Sequence, residues 1–239
     1  MQLSRYGFAA RLCRGKDVLE IGCGSGLGLG YLVREGARTV IGGDYTEDLL
    51  VQAAHYYNGR AKMIRLDAHS LPFRIDSLDL IILFETIYYL KNADTFLTEA
   101  RRVLRSSGQI AISTVNREWR DFNPSPFSIR YPSAKELART LELNHFHPCL
   151  YGGFRITSIG YWSLIVSTLK RMAVSLKLIP KTMKGKEYLK RIFLGPLKCP
   201  PHELGPTPEV CQSLEPLSDL TNTSQFKVIY AVAEKRYHV

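Results

Sequence analysis

The chain has 239 residues and a mass of 27.1 kDa, and its 45% hydrophobic and 23% charged content supplies one substantial core while excluding disorder, a collagen or a disulfide scaffold. Its five cysteines (Cys13, Cys23, Cys149, Cys199 and Cys211) form no CxxC pair, which argues against a disulfide framework or a zinc ribbon. Net charge is +10, yet residues 155–198 hold ten Lys/Arg against one acid, Glu187, so nearly all of it belongs to one segment.

At the N-terminus Arg5, Arg11 and Arg14 enclose no apolar run, so no secretory leader is expected. Residues 156–169 are free of charge for 14 residues, short of the roughly 18 that a membrane span needs. The expectation is a cytosolic protein with reduced thiols. Apolar, β-rich runs then appear at 17–21, 39–43, 62–66, 78–84 and 109–115. Helix-like stretches lie between them at 26–35, 47–57 and 93–104, the last with Phe96, Ala100, Val103 and Leu104 at helical spacing. Near-continuous apolar strands that alternate with helices predict a mostly parallel sheet covered on both faces, an α/β, Rossmann-like, doubly wound fold.

Beyond 115 the texture changes. Residues 116–132 contain Trp119, Phe122, Pro124, Pro126, Phe127 and Tyr131, and are read as a wall of a substrate cavity. Ser133 with Glu136 makes a capping box for a helix to about residue 143, and 147–154 reads as another strand. Residues 155–225 are expected to form an insertion before the last strand. In it Trp162, Ile165, Leu169, Met172, Leu176 and Ile179 make one helical stripe, with Lys170 and Lys177 on another face and Pro180 at the end. Six of the twelve prolines fall in 195–216, which reads as an extended loop. Residues 226–233 (FKVIYAVA) read as a final strand. The expected organisation is a core over 1–154, the basic helical and Pro-rich insertion over 155–225, and a returning strand in 226–239.

The chemistry is concentrated after the first strand, in Glu20-Ile-Gly-Cys-Gly-Ser-Gly-Leu-Gly, with glycine at 22, 24, 26, 28 and 30. Such a turn lets a ligand reach the backbone and leaves helix N-terminal amides facing it, which suits a nucleotide-like cofactor. The dinucleotide fingerprint GxGxxG fails here, because Leu27, Leu29 and Tyr31 occupy the places of its third glycine. An NAD(P)-dependent oxidoreductase is therefore the disfavoured alternative. Two more acids end the next strands: Asp44, 22 residues after Gly22 and placed for ribose hydroxyls, and Asp67, which with Ala68 is placed for an adenine edge.

Val18-Leu-Glu-Ile-Gly-Cys-Gly-Ser-Gly, Asp44, Leu66-Asp67-Ala68 before Leu71-Pro72-Phe73, Asp79-Leu80-Ile81-Ile82 and Arg102-Val103-Leu104-Arg105-Ser106-Ser107-Gly108 together resemble the successive motifs of class I S-adenosylmethionine-dependent methyltransferases. The resemblance covers residues 15–115, more weakly to about 154. It implies S-adenosylmethionine as cofactor, with Glu20, Gly22, Gly24 and Gly26 at its methionyl and ribose part, Asp44 and Tyr45 at the ribose end, and Asp67 and Ala68 at the adenine. It further implies that Phe84 and Glu85 face cofactor and substrate and that Tyr6 meets the cofactor's carboxylate. The implied reaction is in-line methyl transfer to a small-molecule acceptor, lipid-linked molecules included, on an O, N or C atom, with no catalytic residue fixed by a motif.

Other candidates have bland readings. Glu85 can orient or deprotonate an acceptor, or merely cap a helix. His69, His145 and His147 read as turn or packing residues, and Cys199, His202 and Cys211 lack ligand spacing, so no metal is expected. Tyr131 and Lys135 share the spacing of a dehydrogenase proton relay, but Pro132 and the capping box put Tyr131 outside the helix. For the basic segment three readings stand: a solvated helix face, peripheral contact of 156–198 with anionic lipid, and RNA, which would make the enzyme RNA-directed although no RNA-binding module is recognisable.

Overall fold

The computed structural model describes residues 1–156, 202–205, 214–219 and 221–236. The stripe from Trp162 to Ile179, Pro180, Cys199 and Cys211 lie outside the described residues.

Helix α1 (Gln2–Cys13) leads into β1 (Asp17–Ile21), α2 (Leu29–Arg34), β2 (Thr39–Asp44), α3 (Glu47–Tyr57), β3 (Lys62–Arg65), β4 (Leu78–Phe84), α4 (Ala93–Val103) and β5 (Leu104–Val115). After them come α5 (Ala134–Leu143), β6 (Phe146–Arg155), β7 (Glu215–Pro216) and β8 (Phe226–Lys235). The described strands make one sheet in the order β3-β2-β1-β4-β5-β8-β6-β7. The first five are parallel, β8 runs antiparallel between β5 and β6, and β7 pairs antiparallel with β6. The fold is the Rossmann-like, doubly wound α/β architecture with a mostly parallel sheet.

The alternation along β4 explains the two layers. Leu80, Ile82 and Phe84 face α1, α2 and α3 together with Val18, Val40, Leu29 and Tyr57. Ile81 and Leu83 face α4 and α5 with Phe96, Ala100, Leu137 and Leu141. A strand buried on both faces has to be apolar throughout, which is why its period-two signal is absent from the sequence. Truncating a fully buried residue such as Ile81 to alanine costs about 2–5 kcal/mol. At the opposite end of the strands from the glycine turn, Asp17 and Asp79 are tied by Arg38 and Arg105 at 2.6–3.1 Å.

Some boundaries differ from the sequence reading. The helix expected over 26–35 starts only at Leu29, because Gly22, Gly24 and Gly26 all take positive φ and the chain is still turning there. Strand β5 begins at Leu104, where the sequence reading has the end of a helix and a turn, since Leu104 pairs with Leu78 ahead of an irregularity in the ladder. Helix α1 is absent from the sequence reading: its buried face is Tyr6, Gly7, Ala9 and Cys13, too small and polar to register as a stripe. The Ser133–Glu136 capping box forms on both sides, and α5 starts there. Residues 202–205 belong to the same compact unit as residues 1–155, with Leu204 buried in its core.

Candidate functional site

Strand order reverses between β1 and β4, and the turn that follows β1 lies at that switch point, where open α/β sheets bind ligands. Gly22 (φ +76°) donates its N–H to the Gly43 carbonyl at 2.8 Å, and a Cβ there would stand 2.3 Å from Thr86 Oγ1. Only glycine fits. Gly24 (φ +55°) is different: nothing lies within 4 Å of its Cβ position, so a ligand can approach its backbone. Gly26 lies against Tyr57, whose hydroxyl donates to the Gly26 carbonyl at 2.6 Å and accepts from the Gly30 N–H at 3.0 Å. Tyr57, on α3, fixes both ends of the turn.

Three of the expected acids meet around it. Asp44 accepts from the Gly24 N–H through Oδ2 and from the Thr46 N–H through Oδ1, each at 2.8 Å, so it closes the turn while keeping lone pairs for a ligand. Glu20 is buried; its Oε1 accepts from the Tyr6 hydroxyl at 2.5 Å, and its Oε2 has no partner among the described residues. Burial, reinforced by the charge of Asp44 and opposed by the Tyr6 hydrogen bond, pushes its carboxyl up to about 7. Glu85, directly after β4, sits at φ +52°, a left-handed conformation that costs an ordinary residue about 1–2 kcal/mol. It pairs with Arg5 at 2.6 Å and accepts from the Tyr88 hydroxyl at 3.0 Å. Burial raises its carboxyl and Arg5 opposes the shift.

The remaining expected residues are placed as follows. The Tyr6 ring, edge-on to Phe84 at 5.6 Å, lies against Gly28, and its hydroxyl is committed to Glu20. Tyr45 is 70% exposed with the Arg65 guanidinium 5.8 Å from its ring. Asp67 caps its own turn, accepting from the His69 N–H at 2.9 Å and lying 2.6 Å from His69 Nδ1. His69 Nε2 accepts from the Asn92 N–H, so the ring proton sits on Nδ1 and points at Asp67, whose carboxyl is held below its ordinary value by those two bonds. Ala68 beside it is buried.

The aromatic segment 116–132 is not one wall. Tyr131 stacks on Tyr88 at 4.1 Å with Phe122 edge-on to it, but Trp119 lies by Lys227 and Phe127 is 72% exposed. His145 and His147 flank the start of β6, which pairs with the end of β8 and so lies at the far end of the sheet from the glycine turn. Among the described residues no His, Cys, Asp and Glu group is placed to hold a metal, and no helix is long and apolar enough to cross a membrane.

Several residues at the site escape sequence reasoning. Arg5 and Tyr57 come from helices whose apolar stripe is weak, and Thr86 is an ordinary turn residue until its hydroxyl meets Gly22. Residues 202–205 strap α2: the Leu204 N–H donates to the Leu27 carbonyl at 2.9 Å, and Glu203 pairs with Arg34 and Arg60 beside Gly30.

A glycine turn at the switch point of a doubly wound sheet, backed by strand-tip carboxylates, defines a nucleotide-type α/β binding domain. Residues 19–112 match the family described as Methyltransferase domain. The chain is 38% identical over 150 residues to a probable S-adenosylmethionine-dependent methyltransferase of Mycolicibacterium smegmatis, covering 59% of this chain and 56% of the relative. It is 36% identical over 140 residues to a similarly described protein of Mycobacterium tuberculosis, covering 57% and 50%. The chain thus spans about half the length of the curated relatives it matches. In fold it is similar to the crystal structure of the Bacillus protein YcgJ, with a TM-score of 0.62 at 17% identity over 100% of both chains. Residues 19–112 are thus similar in sequence to a methyltransferase domain, and the curated relatives they match are described as probable S-adenosylmethionine-dependent methyltransferases.

Proposed function

We propose that the protein binds S-adenosylmethionine at the Gly22–Gly26 turn and transfers its methyl group to a small-molecule acceptor by in-line displacement. The observation that carries the reading is the unit formed by Gly24, Asp44 and Glu20: an open backbone position, a carboxylate bonded to it, and a buried carboxylate oxygen with no partner among the described residues. Those residues fit the cofactor. Asp44 would accept from ribose hydroxyls, Glu20 Oε2 would meet a cationic group such as the ammonium, and Asp67 with Ala68 would serve the adenine edge. When bound, S-adenosylmethionine supplies a methyl already activated on a sulfonium. The protein's own contribution is alignment and exclusion of water, for which the buried surroundings of Phe84 and Glu85 are suited. Glu85 orients the acceptor and, where that is a hydroxyl, takes its proton; its raised carboxyl brings it nearer to the working pH of a general base.

Calorimetric titration with S-adenosylhomocysteine tests this. The expected result is saturable one-site binding, weakened about ten- to a hundredfold by Asp44→Ala through loss of hydrogen bonds to a charged acceptor, with the far-UV circular dichroism kept. No binding by the wild-type chain, or preferential binding of NAD, refutes it.

A further inference from the structure

One cluster of polar groups has no part in holding the cofactor. Phe84, Ser113 and Tyr230 form a row across β4, β5 and β8, since Phe84 pairs with Ser113 and Ser113 with Tyr230. The row faces α1: Tyr6 packs on Phe84, and Phe8 packs edge-on to Tyr230 at 5.2 Å. Ser113 and Tyr230 are both 0% exposed, yet among the described residues the Ser113 Oγ, the Tyr230 hydroxyl and Arg5 Nε have no hydrogen-bond partner. The Glu85 N–H donates to the Ser113 carbonyl at 2.9 Å, which places the start of the Glu85 loop over the same row. Arg5, paired with Glu85 at 2.6 Å, follows that loop, and burial pushes the Tyr230 hydroxyl up to about 12 with Arg5 opposing and Glu85 reinforcing the shift.

Buried polar atoms are almost always satisfied, and an unmet one costs about 1–3 kcal/mol. These three atoms, none of them on the cofactor's acids, come from adjoining elements and offer hydrogen-bonding capacity that a polar ligand could use. Its chemistry follows from the donors. Arg5 Nε can only donate, and the Nη2 of the same guanidinium already holds Glu85 at 2.6 Å. Two hydroxyls add two further donors. A lone hydroxyl or carbonyl oxygen accepts about two bonds, whereas a carboxylate accepts about four and matches the edge of a guanidinium. Arg5 would then bridge two carboxylates, that of Glu85 and that of the ligand, which keeps the two negative charges from facing each other without a cation.

We propose that Arg5, Ser113 and Tyr230 form an acceptor-side subsite that anchors a carboxylate of the methyl acceptor next to Glu85. This rests on the methyl-transfer reading above for the word acceptor, but the binding itself does not. Arg5 and Glu85 form the rim, with side chains 11% and 19% exposed, and Ser113 and Tyr230 form the sealed floor. Entry would require the first turns of α1 to move, with the Arg5–Glu85 pair opening for passage and re-forming once the ligand carboxylate lies beside Arg5.

The test is calorimetry on the full chain, with and without S-adenosylhomocysteine, using benzoate, octanoate and laurate, each against its primary amide. The expected result is saturable binding of at least one carboxylate, with its amide about tenfold weaker or worse, and a loss of about tenfold in Ser113→Ala and in Tyr230→Phe. Thermal unfolding of the ligand-free variants separates this from a structural role: each substitution removes an unmet polar atom, so melting stays level or rises, whereas a structural hydroxyl would lower it. S-adenosylhomocysteine affinity should not change in either variant. The proposal is overturned if the wild-type chain binds S-adenosylhomocysteine but none of the carboxylates, if amides bind as tightly as acids, or if the variants bind as wild type does. Carboxylate binding without S-adenosylhomocysteine binding would uphold the subsite and refute the cofactor reading.

Discussion

Replacing Glu20 by glutamine separates the folding cost of the buried acid from its use. A carboxyl moved from 4.5 to about 7 costs the folded state about 3 kcal/mol when it is ionised. The sign follows from the raised folded value: the favourable contribution is complete below the unfolded value near 4.5 and is lost as pH rises through about 7. Glutamine keeps an oxygen for the Tyr6 hydroxyl and removes the charge, but it puts an amide nitrogen where Oε2 has no partner among the described residues, at a cost of about 1 kcal/mol. Glu20→Gln should therefore stabilise the ligand-free protein by about 2 kcal/mol at pH 8, and by less as pH is lowered below 6. Urea unfolding of both proteins across that range reads this difference directly. The same variant should bind S-adenosylhomocysteine at least tenfold more weakly, because the buried anion that meets a cationic group is gone. A variant no more stable than wild type at pH 8, yet equally good at binding, would refute both the burial argument and the assigned role.

The two glycines of the turn should respond differently to alanine. Gly22→Ala meets Thr86 at 2.3 Å as well as its own positive φ and should unfold the turn, seen as a large fall in melting temperature. Gly24→Ala has open space, so it should cost only about 1 kcal/mol of stability while sharply weakening S-adenosylhomocysteine binding; equal effects of the two on stability would contradict this. At the other end of the sheet, Arg38 holds the Asp17 carboxyl far below its ordinary value, and Asp79 is lowered by the Asp17 N–H and Arg105 against the opposing effect of burial. Lowered folded values mean that this stabilisation is complete above pH 4 or so and drains away as pH falls. Acid unfolding should be less steep in Arg105→Met, and an unchanged acid limb would show that these pairs are fully screened.

The parts legible in the sequence are those decided locally. Strand β4 and the inner parts of β1 and β8 are nearly continuous apolar runs because they are buried on both faces, and the Ser133 capping box is a four-residue device. The glycine turn and its acids are legible for the same reason: strand, turn and carboxylate are neighbours along the chain. What escapes is set by distant contacts. Helix α1 packs through Ala9, Cys13 and Tyr6, and Arg5 gains its role only when it meets Glu85, 80 residues away. Residues 202–205 read as Pro-rich loop, yet Glu203 is fixed by Arg34, 169 residues earlier. Ser113, beside Thr114 in IAISTV, and Tyr230 in VIYAVA are polar residues in otherwise apolar runs, a pattern that acquires meaning only from the strand register.

Where the spent cofactor binds decides the function of the glycine turn, and a crystal structure of the full chain with S-adenosylhomocysteine is the decisive measurement. It should show ribose hydroxyls on Asp44, main-chain contact at Gly24 and the sulfur directed toward Glu85. A ligand lodged instead in the cleft of about 610 Å³ lined by Phe8, His147, Cys149 and Tyr151, with the glycine turn untouched, would contradict it.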